Sequence, residues 1–500
     1  MQDHHFDLIV IGAGPAGYAG AMRAVDFGKK VLLIEKNRLG GTGVYNGVLS
    51  SKTMWDQALK TASIRELVPD FELPYPALQQ TIGEAIFERK TQMTVHLQML
   101  QKRLKGTLVY EKGKASLLDQ HHVQIEKENG DKRIMSCDYI LLATGSKPRV
   151  PAHIRVDEQN IVTSDGIAGF KDYPKSLVVL GAGVIGCEFA TIFSTLGKTK
   201  VFLIDKAERI LPFEDKDISE LAQQNLEKYG AVVHHGASLQ RMEFLNGMVE
   251  YELKYGNDRK ELFRVEKALI SVGREANTAG LGLEKAGVKL DERGGIWDDD
   301  TQTSVSNIYT AGDVTTELAL VNVGEREARH AVVRMFGPAV KPLTYKNIST
   351  IMFLNPEVAT VGMSEQECRR KGIPHKVVKL DFSTNARAIS MRKTKGFFKI
   401  IVSNDNGMRI LGMRAIGEHA SSAIQAVAYL IHSNQGIREL ADMMHPHPSI
   451  IEGIQECLRM LLNKSIYKPY IFKDKLQCYV FENGIQTPLE NLHQTTHLMP

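Results

Sequence analysis

The sequence has few cysteines and no two of them at short spacing. The five, Cys137, Cys187, Cys368, Cys457 and Cys478, are scattered over 500 residues. In sequence, zinc sites and disulfide frameworks are both recognised by closely and regularly spaced cysteines. The sequence therefore predicts neither a metal site nor a disulfide framework.

A strong excess of charge and a long apolar run are also absent. Lys and Arg number 62 against 58 Asp and Glu, a net charge of +4, which gives no electrostatic basis for binding nucleic acid. No apolar run is long enough to span a membrane, and a first strand at Phe6 leaves no room for a signal peptide. We therefore expect a cytoplasmic enzyme of several packed domains, with no nucleic acid or membrane as partner.

The stretch from Phe6 to Glu35 has the order of a βαβ unit that binds a dinucleotide. An apolar strand, Phe6 to Ile11, leads directly into the turn GAGPAG, and a second strand, Val31 to Ile34, ends in an acid. Glycines allow a tight turn and bring backbone N–H groups and a helix N-terminus to a pyrophosphate. The acid is placed to accept hydrogen bonds from ribose hydroxyls. The positions expected to contact the nucleotide here are Gly12, Gly14, Pro15, Ala16, Gly17, Glu35 and Lys36.

A second unit with the same order begins at Ser176. Its strand, Ser176 to Leu180, is followed by GAGVIG and by a closing strand that ends in Asp205. From first glycine to terminal acid is 23 residues in one unit and 24 in the other. Two such sites predict a bound flavin facing a nicotinamide. The expected contacts are Gly181, Gly183, Val184, Ile185, Gly186 and Asp205.

The nicotinamide preference depends on Asp205 and its neighbours. A carboxylate at this position repels a 2′-phosphate and favours NAD(H). Lys206 and Arg209 lie close in sequence and either soften that preference or are ordinary solvated charges. Use of NADP(H) therefore stays open.

The remaining segments predict short strands, turns and a C-terminal layer. Cys137 to Leu142 and Ile308 onward are strands that end in small-residue turns, a helix is expected from Thr53, and further helices over 421–434 and 449–462. The segment after Leu462 shows no usable periodicity. The fold class is α/β with two Rossmann-like dinucleotide-binding domains, for FAD and NAD(P), and a C-terminal α+β dimerisation domain. The expected boundaries are 1–150 (FAD, first part), 151–276 (NAD(P)), 277–344 (FAD and central, second part), 345–465 (dimerisation) and 466–500 (tail of unknown role).

Over about residues 5–465 the chain resembles the pyridine nucleotide–disulfide oxidoreductases, in particular the dihydrolipoamide dehydrogenases and soluble transhydrogenases. The motifs that carry the resemblance are GAGPAG, ATGSKPRVP, GAGVIGCE, VGREANT and YTAGDV, with NPEVATVG and HPHPSIIE in support. The resemblance implies a homodimeric FAD enzyme that uses NAD(H) and possibly NADP(H). The further cofactor contacts that it implies are Gly41, Thr42, Lys52, Ala115, Thr144, Gly145, Ser146, Glu188, Gly273, Arg274, Gly312 and Asp313.

The chain departs from this family at its redox-active cysteine pair. Gly43 and Val48 occupy the two positions, and neither side chain forms a thiolate. A dithiol–disulfide relay therefore cannot operate there. Other catalytic positions match the family: Lys52 with Glu188 beside the flavin, and His447 with Glu452 as the acid–base dyad that reaches the partner subunit's flavin. Whether this dyad still transfers protons or only stabilises an interface is left open.

The prediction is a flavoenzyme that takes hydride from NADH or NADPH and passes it to a second acceptor. The leading acceptor is another nicotinamide nucleotide. One alternative is a quinone or similar electron acceptor, with His447 as proton donor. A second is a homologue that has lost turnover and serves as a binding or structural subunit.

Overall fold

The computed structural model describes residues 5–256 and 258–489, which form two compact units. The first unit comprises the chain up to Pro174 together with Arg241–Tyr251 and Phe263–Leu343. The second comprises Lys175–Gln240, Glu252–Leu262 and the chain from Thr344 onward.

The elements of the N-terminal part of the first unit are β1 (His5–Ile11), α1 (Pro15–Asp26), β2 (Val31–Glu35), α2 (Gly41–Val44), α3 (Val48–Arg65), α4 (Tyr75–Leu104), β3 (Leu108–Lys112), β4 (Lys114–Leu117), β5 (His122–Glu126), β6 (Lys132–Leu142), β7 (Ser146–Pro148) and β8 (Ile161–Thr163). The chain then forms β9 (Ser176–Leu180), α5 (Val184–Leu196), β10 (Lys200–Ile204), α6 (Lys216–Lys228) and β11 (Val232–His234), which belong to the second unit. Three longer strands follow, β12 (Ser238–Leu245), β13 (Met248–Lys254) and β14 (Lys260–Val265).

The first unit is completed by β15 (Lys267–Ile270), β16 (Arg274–Ala276), α7 (Leu283–Ala286), β17 (Asp298–Asp299), β18 (Gln302–Thr303), β19 (Ile308–Thr310) and α8 (Val321–Phe336). The second is completed by β20 (Ser349–Met352), β21 (Val358–Gly362), α9 (Glu365–Arg370), β22 (His375–Asp381), α10 (Ala386–Ser390), β23 (Phe397–Ser403), β24 (Ile410–Ile416), α11 (Ala420–Ala423), α12 (Gln425–Ser433), α13 (Arg438–Asp442), α14 (Glu452–Leu461), β25 (Leu476–Glu482) and β26 (Ile485–Pro488).

A nine-stranded sheet forms the centre of the first unit. Its main path is β17-β18-β19-β6-β1-β2-β3, and β5 joins β4 to β6. Strand β1 lies between β2 and β6 and is parallel to both. Leu8, Ile9 and Val10 have no exposed surface, as expected for a parallel strand covered on both faces.

The second unit contains two separate sheet regions. Strands β9, β10 and β11 are parallel neighbours with β10 in the middle. The chain from residue 349 forms an antiparallel sheet in the order β20-β21-β24-β23-β22-β25-β26. Helices α12 and α14 cover this sheet with an apolar core that includes Ile400, Met413 and Leu458. The α/β fold class predicted from the sequence is confirmed, whereas the finer domain boundaries stay predictions.

Several predicted element bounds were wrong. The helix expected from Thr53 begins at Val48, and the one expected over 421–434 is divided into α11 and α12. The helix expected from Ser449 begins at Glu452, whose carboxylate accepts the Ser449 N–H at 2.7 Å. The segment after Leu462 forms the β25–β26 hairpin, which no periodicity had indicated. Among the described helices, none is both long and apolar enough to cross a membrane.

Candidate functional site

The turn after β1 contains three glycines, and contacts within the protein require only the first and third of them to be glycine. A Cβ on Gly12, whose φ is +104°, would lie 2.3 Å from the carbonyl oxygen of Ala143, and one on Gly17 would lie 1.8 Å from that of Gly12. A Cβ on Gly14 would meet no atom of the described residues within 4 Å. The first and third glycines are therefore required by packing, whereas the open space at the second is what a bound pyrophosphate needs.

Helix α1 starts beside this space, and among the described side chains none caps its N-terminus. Gly14 is the N-cap residue, Pro15 follows it, and the first turn contains no acidic residue. Four N–H groups at a helix N-terminus lack intrahelical partners and attract an anion. The predicted positions Gly12 to Gly17 are thus brought together in a form that fits a dinucleotide phosphate.

Glu35 fixes this turn from the end of β2. Its Oε2 accepts the N–H of Ala13 at 2.8 Å, and its Oε1 accepts the N–H of Asn37 at the same distance. The side chain is buried. The carboxylate therefore shapes the turn besides lying where a ribose is expected. Lys36, the next predicted contact, is exposed.

The second turn repeats these contacts residue for residue. Asp205 Oδ2 accepts the N–H of Ala182 at 2.6 Å, and its Oδ1 accepts the N–H of Ala207 at 2.8 Å. Gly183 is the N-cap residue of α5, and a Cβ there would likewise meet no atom of the described part of the chain within 4 Å. The internal repeat seen in the sequence is confirmed at the level of individual hydrogen bonds.

Arg209 does not point its guanidinium at a free site near Asp205. Its Nη2 donates to the carbonyl oxygens of Pro212 and Glu214 at 3.0 and 2.9 Å, and to Gln366 Oε1 at 2.6 Å. The suggestion that Arg209 softens the nucleotide preference therefore loses its support. Lys206 is exposed.

Ser146, Arg274 and Asp313 form one cluster in the first unit. Ser146 Oγ donates to Asp313 Oδ2 at 2.7 Å and accepts from Arg274 Nε at 2.7 Å. Arg274 also donates to the Ser146 carbonyl oxygen at 2.8 Å, while the antiparallel pair β7–β16 aligns the two segments. Three residues predicted from separate motifs are thus brought together.

Two residues that were not predicted as contacts hold the neighbouring turns. Asn277 exchanges hydrogen bonds with the Thr144 main chain and side chain, and its own N–H donates to the Gly145 carbonyl oxygen. The buried Glu327 accepts the Gly312 N–H at 2.8 Å. Asn277 lies in the VGREANT motif, so the sequence could have indicated it as a site residue. Glu327 lies in the middle of a helix, and no sequence pattern indicates its role.

The other predicted contacts occupy varied positions. Gly41 has φ +52°, and a Cβ on it would lie 3.2 Å from Gly14 Cα, whereas Thr42 is exposed. Ala115 is buried in β4 and pairs with Ile125. Gly273 has φ +107°.

The positions that lack cysteines adjoin the first turn. Gly43 lies in α2, and a Cβ on it would be 2.8 Å from Pro15 Cγ, closer than real side chains approach. Val48 begins α3 with 43% of its surface exposed. Four of the five cysteines are buried and Cys478 is half-buried. Burial raises the pKa of Cys368 to about 11 and the pKa values of Cys137 and Cys478 to about 12, so these thiols stay protonated near neutral pH.

Two catalytic pairs were predicted, His447–Glu452 and Lys52–Glu188. His447 Nδ1 lies 2.8 Å from Glu452 Oε1, and 71% of the His447 side chain is exposed. Glu188 is buried in α5 and accepts the Phe353 N–H at 3.0 Å, and Lys52 lies in α3. The His447–Glu452 contact is present; the Lys52–Glu188 pairing stays a prediction. Among the described residues no group of three or more His, Cys, Asp or Glu side chains has the arrangement to hold a metal ion.

Known proteins resemble this chain over nearly its whole length. The pyridine nucleotide-disulphide oxidoreductase family model matches residues 6–328, and that family's dimerisation domain model matches residues 348–458. A dihydrolipoyl dehydrogenase from Chlamydia muridarum is 33% identical over 93% of this chain and 98% of its own. A mercuric reductase from Staphylococcus aureus is 30% identical over 91% of this chain and 82% of its own.

Solved structures agree with these sequence relatives. The Cu(II) complex of the HOCl-induced flavoprotein disulfide reductase RclA from Escherichia coli matches with a TM-score of 0.83 and 25% identity, over 91% of this chain and 99% of that one. LpdA from Mycobacterium tuberculosis matches with the same values. Together with the two glycine turns, these relatives show that the chain belongs to the pyridine nucleotide–disulfide oxidoreductase family and is an FAD-dependent NAD(P)H oxidoreductase.

Proposed function

We propose that this enzyme transfers hydride from NADH or NADPH to a second soluble acceptor without a thiol relay, and that the acceptor is another nicotinamide nucleotide. The observation that carries the proposal is the environment of Gly43 and Val48. Neither residue supplies a sulfur atom, and a Cβ at the first position would lie 2.8 Å from Pro15 Cγ. With no dithiol to receive electrons, exchange between nucleotides is the simplest reaction left to this family's cofactor pair.

The residues of the chain have separable roles in this reaction. Bound FAD supplies the capacity to accept and release a hydride. The turn Gly12–Gly17 and Glu35 would hold the flavin nucleotide, and the Ser146–Arg274–Asp313 cluster would contact its ribityl chain. The turn Gly181–Gly186 and Asp205 hold the nicotinamide nucleotide. Because exchange between two nicotinamides is nearly thermoneutral, these residues contribute positioning more than driving force.

Lys52 and Glu188 form the polar surroundings of the flavin ring in this proposal. A cation there stabilises negative charge on the reduced ring system. His447 and Glu452 lie in the segment matched by the dimerisation domain model. In a two-fold homodimer each subunit would supply this dyad to the flavin face of the other, and two-fold symmetry would complete both sites at once.

We expect NADH to be the better donor and Asp205→Asn to shift the preference toward NADPH. The change removes the charge that repels a 2′-phosphate but keeps an oxygen for the N–H groups of Ala182 or Ala207. The ratio of kcat/KM for the two donors should change by about 1–3 kcal/mol, roughly 5- to 150-fold. Steady-state kinetics with both donors measure it. A wild type that already prefers NADPH tenfold would contradict this role of Asp205.

Reduction of a quinone is the second candidate, and the intact His447–Glu452 contact favours it. Reducing a quinone requires protons, and the exposed imidazole is suited to donate one. His447→Ala should slow quinone reduction on the order of a hundredfold, since a positioned general acid contributes at least that much. Hydride exchange between nicotinamides moves no such proton and should change less than about twofold.

His445→Ala is the matched control for this variant. His445 lies in the same loop, and its Nε2 is 3.2 Å from the Leu440 carbonyl oxygen. Equal losses from both substitutions would indicate loop damage rather than proton transfer.

An anaerobic screen of acceptors tests the proposed function. NADH or NADPH is supplied with a thionicotinamide analogue, a soluble quinone, lipoamide or glutathione disulfide. Turnover with the analogue by ping-pong kinetics supports nucleotide exchange. Turnover with a quinone alone would favour the second candidate, and reduction of either disulfide would overturn both.

A further inference from the structure

The loop from Asp205 to Asp215 is hydrogen-bonded to the second glycine turn at two points. Asp205 holds the Ala182 N–H at its start, and the Leu211 N–H donates to the Ala182 carbonyl oxygen at 2.9 Å. Both bonds converge on one residue of the turn. The position of the Asp205 carboxylate therefore depends on the shape of this loop.

Arg209 makes hydrogen bonds across this loop. Its three hydrogen bonds join the carbonyl oxygens of Pro212 and Glu214 to the Gln366 side chain. Gln366 is the second residue of α9, which belongs to the sequence of the dimerisation segment. The loop from Asp205 to Asp215 is therefore hydrogen-bonded to α9, which lies outside the βαβ unit to which the loop belongs.

Helix α9 is itself held in place by hydrogen bonds and buried ion pairs. The Asp215 carboxylate accepts the N–H groups of Glu365 and Gln366 at 3.2 and 2.9 Å. Lys399, whose side chain is only 5% exposed, contacts Asp215 Oδ2 at 3.1 Å and Glu365 Oε2 at 2.6 Å. A buried cation with several carboxylate partners disfavours any displacement that would leave one of them unpaired.

The C-terminal hairpin, β25 and β26, also contacts α9. Tyr479 Oη donates to Glu365 Oε2 at 2.9 Å, and Arg369 donates to Gln486 Oε1 at 2.7 Å. The Arg369 guanidinium also lies 4.4 Å from the centre of the Phe481 ring. Strands β25 and β26 lie beyond residue 458, where the family's dimerisation model ends.

We propose that Gln366 is a positioning residue for the nicotinamide nucleotide: through Arg209 it holds the loop that presents Asp205 to the ribose. Gln366 touches neither nucleotide in this role and acts only through the loop. The inference rests on the assignment of Asp205 to the nicotinamide nucleotide, and it is independent of the identity of the second acceptor.

The test is the concentration dependence of anaerobic flavin bleaching by NADH in the purified holoenzyme. Gln366→Ala removes the acceptor for Arg209, and the apparent Kd for NADH should rise about three- to tenfold, as for one lost hydrogen bond. The limiting bleaching rate and the FAD content should not change. Gln366→Glu keeps an oxygen at the same reach and should retain the wild-type Kd.

Gln366→Ala combined with Asp205→Ala distinguishes positioning of Asp205 from a general disturbance of the nucleotide site. If Gln366 acts through Asp205, its removal there should leave the Kd for NADH within about twofold of the single Asp205 variant. A full further increase in that background would overturn the proposal, as would a wild-type Kd in Gln366→Ala. Failure of the wild-type enzyme to bleach with either NADH or NADPH would instead contradict the proposed function itself.

Discussion

Gly14→Val is expected to purify without FAD and without the yellow colour of the wild type. The backbone at Gly14 is extended, with φ −70° and ψ −176°, and a Cβ there meets no atom of the described residues within 4 Å, so valine causes neither backbone strain nor a Cβ clash. The side chain fills the space that the pyrophosphate requires. Losing two charge-assisted hydrogen bonds from backbone N–H groups costs about 3–6 kcal/mol, so FAD affinity should fall roughly a hundredfold or more.

Gly183→Val is the matched control, because the same residue type occupies the same place in the second turn. Its backbone, with φ −76° and ψ −170°, accepts valine equally well. This variant should remain yellow but fail to bleach with NADH. Absorbance spectra of both variants measure FAD content and flavin bleaching, and circular dichroism verifies folding. A yellow Gly14→Val protein with wild-type FAD content would contradict the assignment of the first turn.

Wild-type enzyme is expected neither to oxidise dihydrolipoamide nor to reduce glutathione disulfide. Either reaction needs a thiolate next to the flavin, and Gly43 and Val48 supply none. None of the cysteines compensates, because burial raises the pKa of even the least shifted, Cys368, to about 11. At pH 8 only about one such thiol in a thousand is ionised.

Treatment with iodoacetamide extends this prediction. NADH oxidation with a nicotinamide analogue should be unchanged after alkylation at pH 8, whereas a dithiol enzyme reduced beforehand would lose its activity. The dihydrolipoyl dehydrogenase from Chlamydia muridarum is a suitable positive control for the assay. Measurable dihydrolipoamide oxidation by this chain, free of contaminating enzyme, would overturn the argument from Gly43 and Val48.

The sequence allowed prediction of what depends on neighbours along the chain. Each glycine turn, its helix and its terminal acid lie within 25 residues, so their order already specifies a βαβ unit. It also indicated Ser146, Arg274 and Asp313 as separate contacts through family motifs. Their joining in one cluster depends on the pairing of β7 with β16, which no local pattern indicates.

Features that depend on distant partners were missed or misread. Arg209 reads as a free cation beside Asp205, yet its guanidinium binds Gln366, 157 residues away. Strand β25 gave no usable signal, because its place beside β22 is decided by contacts with residues about a hundred positions earlier. A strand's environment settles its conformation more than its own propensity does.

The central sheet of the first unit has a consequence for how the protein is made. Strand β6 ends at Leu142, and its parallel neighbour β19 begins only at Ile308, with α8 still later. At ribosomal rates of about 5–20 residues per second, roughly 8–33 s pass before this neighbour emerges. During that interval the nascent β6 has an open edge and α1 lacks the helix that covers it, so we expect chaperones to engage the chain before its flavin fold can close.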